Sequence, residues 1–301
     1  MRHPAAFQFR TIVIATDLTE ASSPALEYGR EMAKAYGAKV ILTHVIDPLE
    51  YANLEDAPPK VLKEMTAAAR AEIEKRTEEF LAAGIPSHSE VRQGLVTQLL
   101  LQVVNQYHAD LLVLGTKGEQ GAGHLALGSV AEALVRQAPC AVLAVAADLV
   151  SRGPLVGGRI LVPMQRSTAS IDAIVTAKAV AAKLNADLLL LHVRTSEEMA
   201  TQVDPCAAAG MSFPLTEPRV PVRCLVRDGK VAPVIADTAE QYRVSLMAMT
   251  VNRESRSRSL GPHGTAYEVV ARAKVPVLLF PPADAQRVEE ATHQEVAVGV
   301  C

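Results

Sequence analysis

Runs of consecutive apolar residues alternate with longer amphipathic segments along the first half of the chain. Four runs are apolar almost throughout, which is typical of strands that are buried on both faces of a parallel sheet. They cover residues 11–16, 39–46, 110–115 and 141–146. The segment 87–92 is more polar and alternates in character, so it predicts an edge strand.

Four helical segments separate these strands. Ser23 and Pro24 supply a cap and a first-turn residue for a helix that runs to Tyr36. Gly84 closes a second helix over roughly 60–83, and two further helices are predicted over 96–107 and 129–137. The order β-α-β-α-β-α-β-α-β predicts an α/β fold with a doubly wound, five-stranded parallel sheet and helices on both faces.

The second half of the chain repeats the first. Thr11–Asp17 matches Arg159–Gln165, and Ala38–Val45 matches Ala186–Val193 at the same offset. The offset is shorter between the later segments of the two copies, which indicates one deletion in the second copy. Self-similarity of this kind predicts two structural units of the same fold in tandem.

The repeat sets the expected domain boundaries. One domain is expected over 1–148 and a second over 158–282, followed by a tail over 283–301. The segment 151–158 is rich in glycine and proline and predicts a linker between them.

Composition excludes several classes of protein. The chain has 301 residues, 49% of them hydrophobic, and a formal net charge of -3, so bulk charge gives no reason to expect nucleic-acid or membrane-surface binding. No apolar run is long enough to predict a membrane span. The four cysteines have no metal-ligand spacing, and the N-terminus lacks the apolar core of a signal peptide. These features predict a cytoplasmic protein with reduced thiols.

The strongest chemical signal is a glycine pattern between a predicted strand and a predicted helix. Gly115 and Gly118 follow the apolar run 111–114, and Gly128 and Ser129 come where the next helix begins. Glycine lets the backbone approach an anion closely, and the N-terminus of a helix presents unpaired N–H groups. The pattern therefore predicts a phosphate-binding loop and, with it, a nucleotide site.

The expected fold places this loop opposite an acidic residue. In open α/β sheets, ligands bind at the carboxyl ends of the strands where the strand order reverses. The strands that begin at Thr11 and Leu111 are the natural central pair, and the first of them ends in Ala15-Thr16-Asp17. Asp17 is thus a candidate for binding ribose, and Val40 on the neighbouring strand is a candidate for offering backbone groups to a base.

These residues carry a resemblance to the universal stress protein family. Ile14-Ala-Thr-Asp17, Thr43-His-Val-Ile-Asp47 and the loop from Gly115 to Ser129 are similar to its motifs, strongly over 11–146 and more weakly over 158–280. The resemblance implies a Rossmann-like fold of the adenine-nucleotide α-hydrolase type, ATP as the ligand, with or without Mg²⁺, and a homodimer. The candidate nucleotide-binding residues are Ala15, Thr16, Asp17, Val40, Leu114, Gly115, Lys117, Gly118, Gly128, Ser129 and Val130.

The second copy differs from the motif at the positions expected to bind the nucleotide. Gln165 replaces the acidic residue, and Thr250 and Arg253 replace the first two glycines of the loop. Only Gly264-Thr265 is retained, so the second copy is expected to be a degenerate half that does not bind ATP.

The predicted function is that of an ATP-binding stress-response regulatory protein, in which the bound nucleotide biases the conformation or the binding of an unknown protein partner, with slow or no hydrolysis. The chain has no Walker A motif, and no paired carboxylates lie near the loop. A slow ATPase and a nucleotide-independent scaffold or chaperone are the alternatives. The homodimer implied by the resemblance would form through the last strand of a copy, Ala141–Ala146 or Val277–Phe280. His44 and His192 occupy equivalent strand positions and are expected to be structural, with no catalytic residue assigned.

Overall fold

The structure is a computed structural model that describes most of both copies. The residues described are 8–47, 59–116, 127–149, 154–164, 168–194, 220–251 and 264–281. Several residues that the sequence analysis singled out lie outside these ranges, among them Lys117, Gly118, Gln165, Arg253 and the tail.

Strands and helices alternate in the first copy as the apolar pattern predicts. The described elements are β1 (Thr11–Ala15), α1 (Ser23–Tyr36), β2 (Lys39–Ile46), α2 (Pro59–Ala82), β3 (Ser87–Gln93), α3 (Val96–Gln106), β4 (Leu111–Gly115), α4 (Ser129–Gln137) and β5 (Ala141–Val145). Helix α1 begins with Pro24 in its first turn and ends at Gly37, whose φ of 64° suits glycine. A short 3-10 helix, Glu20–Ser22, precedes α1.

The second copy follows the same order in its described residues, which do not include residues 195–219 between its second and third strands. Its elements are β6 (Arg159–Met164), α5 (Thr168–Lys183), β7 (Asp187–Arg194), β8 (Val222–Asp228), α6 (Val231–Gln241), β9 (Leu246–Thr250), α7 (Thr265–Arg272) and β10 (Val277–Phe280).

All ten strands form one sheet, in the order β3-β2-β1-β4-β5-β10-β9-β6-β7-β8. Within each copy the paired strands are parallel, which confirms the predicted α/β class. Strand β1 lies between β2 and β4, as the sequence analysis expected of the central pair. The chain runs from β1 outward in one direction and returns to β4 on the other side, so the strand order reverses between β1 and β4.

The two copies join through an antiparallel pairing of β5 with β10, which we call the seam. Val142, Leu143 and Ala144 lie opposite Leu279, Leu278 and Val277, and all six residues are at most 2% exposed. The homodimer predicted through these two strands is therefore wrong as to its interface, because each strand already covers the other's edge within one chain. A homodimer through another surface remains a prediction.

Two hydrophobic layers cover the sheet, one on each face. Alternate residues of β1 point to opposite layers: Ile12 and Ile14 belong to the first, and Val13 belongs to the second. Helices α1, α2 and α5 contribute buried residues to the first layer, whereas α3, α4, α6 and α7 contribute to the second. Both layers contain residues of β5 and β10, so the core is continuous across the seam.

The cysteines correct one expectation of the sequence analysis. Cys140 is a free thiol packed against the second layer. Cys224, on β8, is disulfide-bonded, whereas the sequence analysis predicted reduced thiols, because spacing along the chain does not reveal which thiols meet. Within the described ranges, none of the helices is long and apolar enough to cross a membrane.

A charge placed at the seam should destabilise the protein as a whole. Leu278 is fully buried opposite Leu143, so Leu278→Asp should lower the free energy of unfolding by about 3 kcal/mol or more, since it buries a carboxylate among apolar side chains. Urea unfolding followed by circular dichroism measures this loss.

Val175→Asp is the matched control, because Val175 is 52% exposed on α5. That substitution should change the free energy of unfolding by no more than about 0.5 kcal/mol. Equal stability of the two variants would contradict the central role of the seam.

Candidate nucleotide site

The turn that follows β1 is held by a set of short hydrogen bonds. The Thr16 hydroxyl oxygen accepts from the Leu18 N–H at 3.0 Å and lies 2.8 Å from the Ser22 hydroxyl. The Ser22 hydroxyl in turn donates to the Thr19 carbonyl at 2.9 Å. Thr16 and Ser22 are both buried, so these bonds fix the turn against the end of the strand.

Two residues distant in the sequence also form hydrogen bonds with the backbone of this turn. His44 Nδ1 lies 2.9 Å from the Thr16 carbonyl oxygen and must carry a proton to make this bond, because a carbonyl oxygen only accepts. Arg76, on α2, donates to the Leu18 carbonyl at 2.9 Å. Leu18 has a φ of 67°, a left-handed conformation that non-glycine residues adopt rarely and at a cost in energy. Contacts from β2 and α2 therefore hold the backbone in a conformation that its own sequence disfavours.

Asp17 projects from this turn at the surface. Its Oδ1 accepts hydrogen bonds from the Thr19 N–H at 3.0 Å and from the Thr19 hydroxyl at 2.7 Å. These two bonds orient the carboxylate, and the side chain is exposed. The second carboxylate oxygen can therefore accept a hydrogen bond from a ligand without rearrangement of the turn.

Across from this turn, β4 leads into the glycine loop. The Thr116 N–H donates to the Val145 carbonyl at 2.8 Å, and the Gly128 N–H donates back to the Thr116 carbonyl at 2.9 Å. The second of these bonds brings the two ends of the loop together beside the end of β4. Leu114 and Gly115 end β4 at this edge, directly after Val113, which pairs with Ile14 of β1.

Helix α4 begins at this point, and its first backbone N–H groups have no partner within the helix. Gly128 is its N-cap, with φ -62° and ψ 148°, and makes no side-chain capping bond. The bond from the Glu132 N–H to the Gly128 carbonyl, 2.9 Å long, closes the first helical turn. The N–H groups of Ser129, Val130 and Ala131 precede it and have no carbonyl partner within the helix, which makes the helix start suitable for an anion.

Val40 does not lie at this edge. It is opposite Ile12 near the start of β2, fully buried, and its N–H donates to the Pro86 carbonyl at 2.8 Å. Thr43, which pairs with the last residue of β1, is three residues further on, or about 10 Å along the strand. Ligands of a parallel sheet bind beyond the carboxyl ends of its strands, so Val40 is at the wrong end of β2.

Val45, which the sequence analysis did not single out, lies at this edge of the sheet. Strand β2 continues after β1 has ended, and the Thr16 N–H donates to the Thr43 carbonyl at 3.0 Å. Backbone groups alternate in direction along a strand, so those of Val45 face the same side as those of Thr43, where β1 no longer runs. Among the described residues, no backbone partner is found for the Val45 N–H or carbonyl on that side. The sequence could have pointed to Val45 through its position, since Val45 lies near the carboxyl end of the predicted strand.

The second copy keeps part of this geometry. His192 Nδ1 lies 3.2 Å from the Met164 carbonyl oxygen, and this contact is equivalent to the 2.9 Å contact of His44 with the Thr16 carbonyl oxygen. Both histidines are therefore strand-end hydrogen-bonding residues, as predicted. Gly264 caps α7 with φ -77° and ψ 142°, again without a side-chain capping bond. Gln165 and the loop that carries Arg253 lie outside the described residues.

The fold and the site define a tandem α/β protein with a helix N-terminus, an acidic turn and a strand end gathered at the sheet's switch point. The universal stress protein family model matches the chain twice, over residues 8–146 and 158–281. These matches cover most of the chain, so the protein belongs to the universal stress protein family.

Individual relatives match one copy each. A universal stress protein of Methanocaldococcus jannaschii is 31% identical over 142 residues, which cover 46% of this chain and 82% of the relative. A universal stress protein of Thermus aquaticus is 33% identical over 138 residues, or 46% of this chain and 98% of the relative.

A solved structure matches the tandem arrangement. The crystal structure of a universal stress protein from Archaeoglobus fulgidus superposes with a TM-score of 0.72 at 21% sequence identity. The match covers 91% of this chain and 99% of that one. At this identity the likeness shows the fold only.

The turn after β1 should depend on the Thr16 hydroxyl. Thr16→Val keeps the shape of the side chain and removes its bonds to Leu18 and Ser22, so it should lower the free energy of unfolding by about 1–2 kcal/mol. Thr16→Ser keeps the hydroxyl and should cost less. Chemical denaturation of both variants measures the difference, and a larger loss in Thr16→Ser than in Thr16→Val would show that the methyl group rather than the hydroxyl holds the turn.

Proposed function

We propose that the first copy binds ATP at the carboxyl ends of β1, β2 and β4, and that this occupancy regulates binding to a protein partner in the stress response. The observation that carries the proposal is the convergence of three binding groups at the switch point. These are the start of α4, the Asp17 carboxylate and the backbone of Val45. In this order, the three groups have the chemistry needed to bind the phosphates, the ribose and the base of a nucleotide.

The phosphates are assigned to the start of α4. The N–H groups of Ser129, Val130 and Ala131 lack partners within the helix, and the helix dipole adds partial positive charge at this end. Gly128 has no side chain to occupy the cap, so an anion can approach the backbone. Lys117 and Gly118 belong to the same loop in the sequence, and the proposal keeps them as phosphate contacts.

The ribose is assigned to Asp17. A carboxylate is a strong acceptor for a pair of sugar hydroxyls. The two bonds from Thr19 hold Asp17 in place before a ligand arrives, which lowers the entropy that binding must overcome. The same bonds commit Oδ1 to the turn, and this favours a binding role for Asp17 over the activation of a water molecule. The proposed protein is accordingly a binding protein with little or no hydrolysis.

The base is assigned to Val45 in place of Val40. The Val45 N–H and carbonyl provide one donor and one acceptor on the same side of β2. Adenine presents a matching acceptor and donor on one edge, so a strand end of this kind can bind it without a specialised side chain. The Val45 side chain packs against the second hydrophobic layer, which keeps this part of the backbone in place.

The described residues contain no group of three His, Cys, Asp or Glu side chains that could hold a metal ion. Mg²⁺ would then bind mainly through the phosphates of the nucleotide.

The content of the purified protein tests the proposal directly. Denaturing the protein and separating the released small molecules by chromatography and mass should yield about one ATP per chain. Release of ADP would favour a slow ATPase, and two nucleotides per chain would show that the second copy also binds. Absence of nucleotide, together with no heat on titration with ATP, would contradict the proposal.

A proline at Val45 tests the assignment of the base. Val45→Pro removes the N–H that faces beyond β1, so calorimetric titration should show ATP affinity reduced at least tenfold. Val193→Pro is the control, because the repeat places Val193 at the equivalent end of β7 in the second copy. It should leave ATP affinity unchanged, and an equal loss in both variants would indicate a general effect on the sheet.

A further inference from the structure

One hydrogen bond links the glycine loop of the first copy to the second copy. The Leu127 N–H donates to the Tyr267 hydroxyl oxygen at 3.3 Å. Leu127 immediately precedes Gly128, the cap of α4, and Tyr267 lies in the first turn of α7. The contact thus joins the starts of two helices that belong to different copies.

The seam brings these two helix starts together. Helices α4 and α7 both pack on the second hydrophobic layer, which contains residues of β5 and β10 from the two sides of the seam. Leu127 is 7% exposed and belongs to this layer, and Tyr267 packs against it. The Leu127 N–H is a partly buried donor, and leaving it without a partner would be unfavourable.

Ala131 of the first copy cannot make the equivalent bond. Aligning Gly128-Ser-Val-Ala with Gly264-Thr-Ala-Tyr places Tyr267 at the position of Ala131 in the first copy. Alanine has no hydroxyl, so the first copy cannot offer the same bond to the loop of the second. The second copy supports the glycine loop of the first without an equivalent return contact from Ala131.

We infer that Tyr267 is a positioning residue for the nucleotide site of the first copy. Its hydroxyl fixes Leu127 and thereby Gly128, where the N–H groups proposed to bind phosphate begin. The inference rests on the proposed function, and it gives the second copy a defined role. Because coupling between two sites is reciprocal, ATP bound to the first copy should also stabilise the start of α7.

The test compares two tyrosine-to-phenylalanine variants of the full chain. Tyr267→Phe keeps the ring and removes the hydroxyl, and calorimetric titration should show ATP affinity reduced about three- to tenfold. Tyr242→Phe is the matched control, because the Tyr242 hydroxyl accepts from Arg227 at 3.2 Å and does not contact the loop residues described. It should bind ATP as the wild-type protein does. Equal affinity of the Tyr267→Phe variant and the wild type would overturn the inference.

Hydrogen exchange at the Leu127 amide separates this inference from the proposed function. By NMR, that amide should exchange faster in Tyr267→Phe than in Tyr242→Phe or the wild type, with or without ATP. If the wild type does not bind ATP but the Leu127 amide responds in this way, the proposed function fails and the positioning contact is supported. An unchanged exchange rate at Leu127 overturns the contact, whatever the protein binds.

Discussion

The antiparallel pairing of β5 with β10 is the constraint on which the rest of the molecule depends. Each of these strands would otherwise end its five-stranded sheet with an apolar, unpaired edge, which is a template for association with other chains. Pairing them within one chain turns two sheets into one and makes the hydrophobic layers continuous. It also brings the starts of α4 and α7 together, so the residue before the cap of α4 in the first copy is hydrogen-bonded to the second copy.

The candidate site combines a turn held by several hydrogen bonds with backbone groups that have no partner among the described residues. The turn from Thr16 to Thr19 is over-determined by bonds from Ser22, His44 and Arg76, which together hold Leu18 in a conformation that it disfavours. The start of α4 and the end of β2, by contrast, keep backbone groups without partners in the described structure. A residue in a disfavoured conformation, Leu18, and backbone donors without a partner in their own helix both lie at the switch point of the sheet. This pattern is what a preorganised binding site requires.

Sequence reasoning was reliable wherever a local pattern decides the structure. The continuous apolar runs predicted the strands to within a residue or two, and Pro24 and Gly84 marked helix ends through their own backbone preferences. It was less reliable for the site, where it chose Val40 although the partner of β1's last residue is Thr43. The register between two strands depends on how they pack, and a single sequence does not report it.

The sequence by itself determined the fold class, the tandem repeat and the glycine pattern, because periodicity and backbone preference depend only on the residue types along a short stretch of chain. Only the tertiary structure decided that the two copies share one sheet, that Val45 faces the end of β1, and that Tyr267 meets Leu127. Each of these facts joins segments far apart in the chain. The free energy that fixes them comes from burial and hydrogen bonding between those segments, so it exists only once the chain has folded.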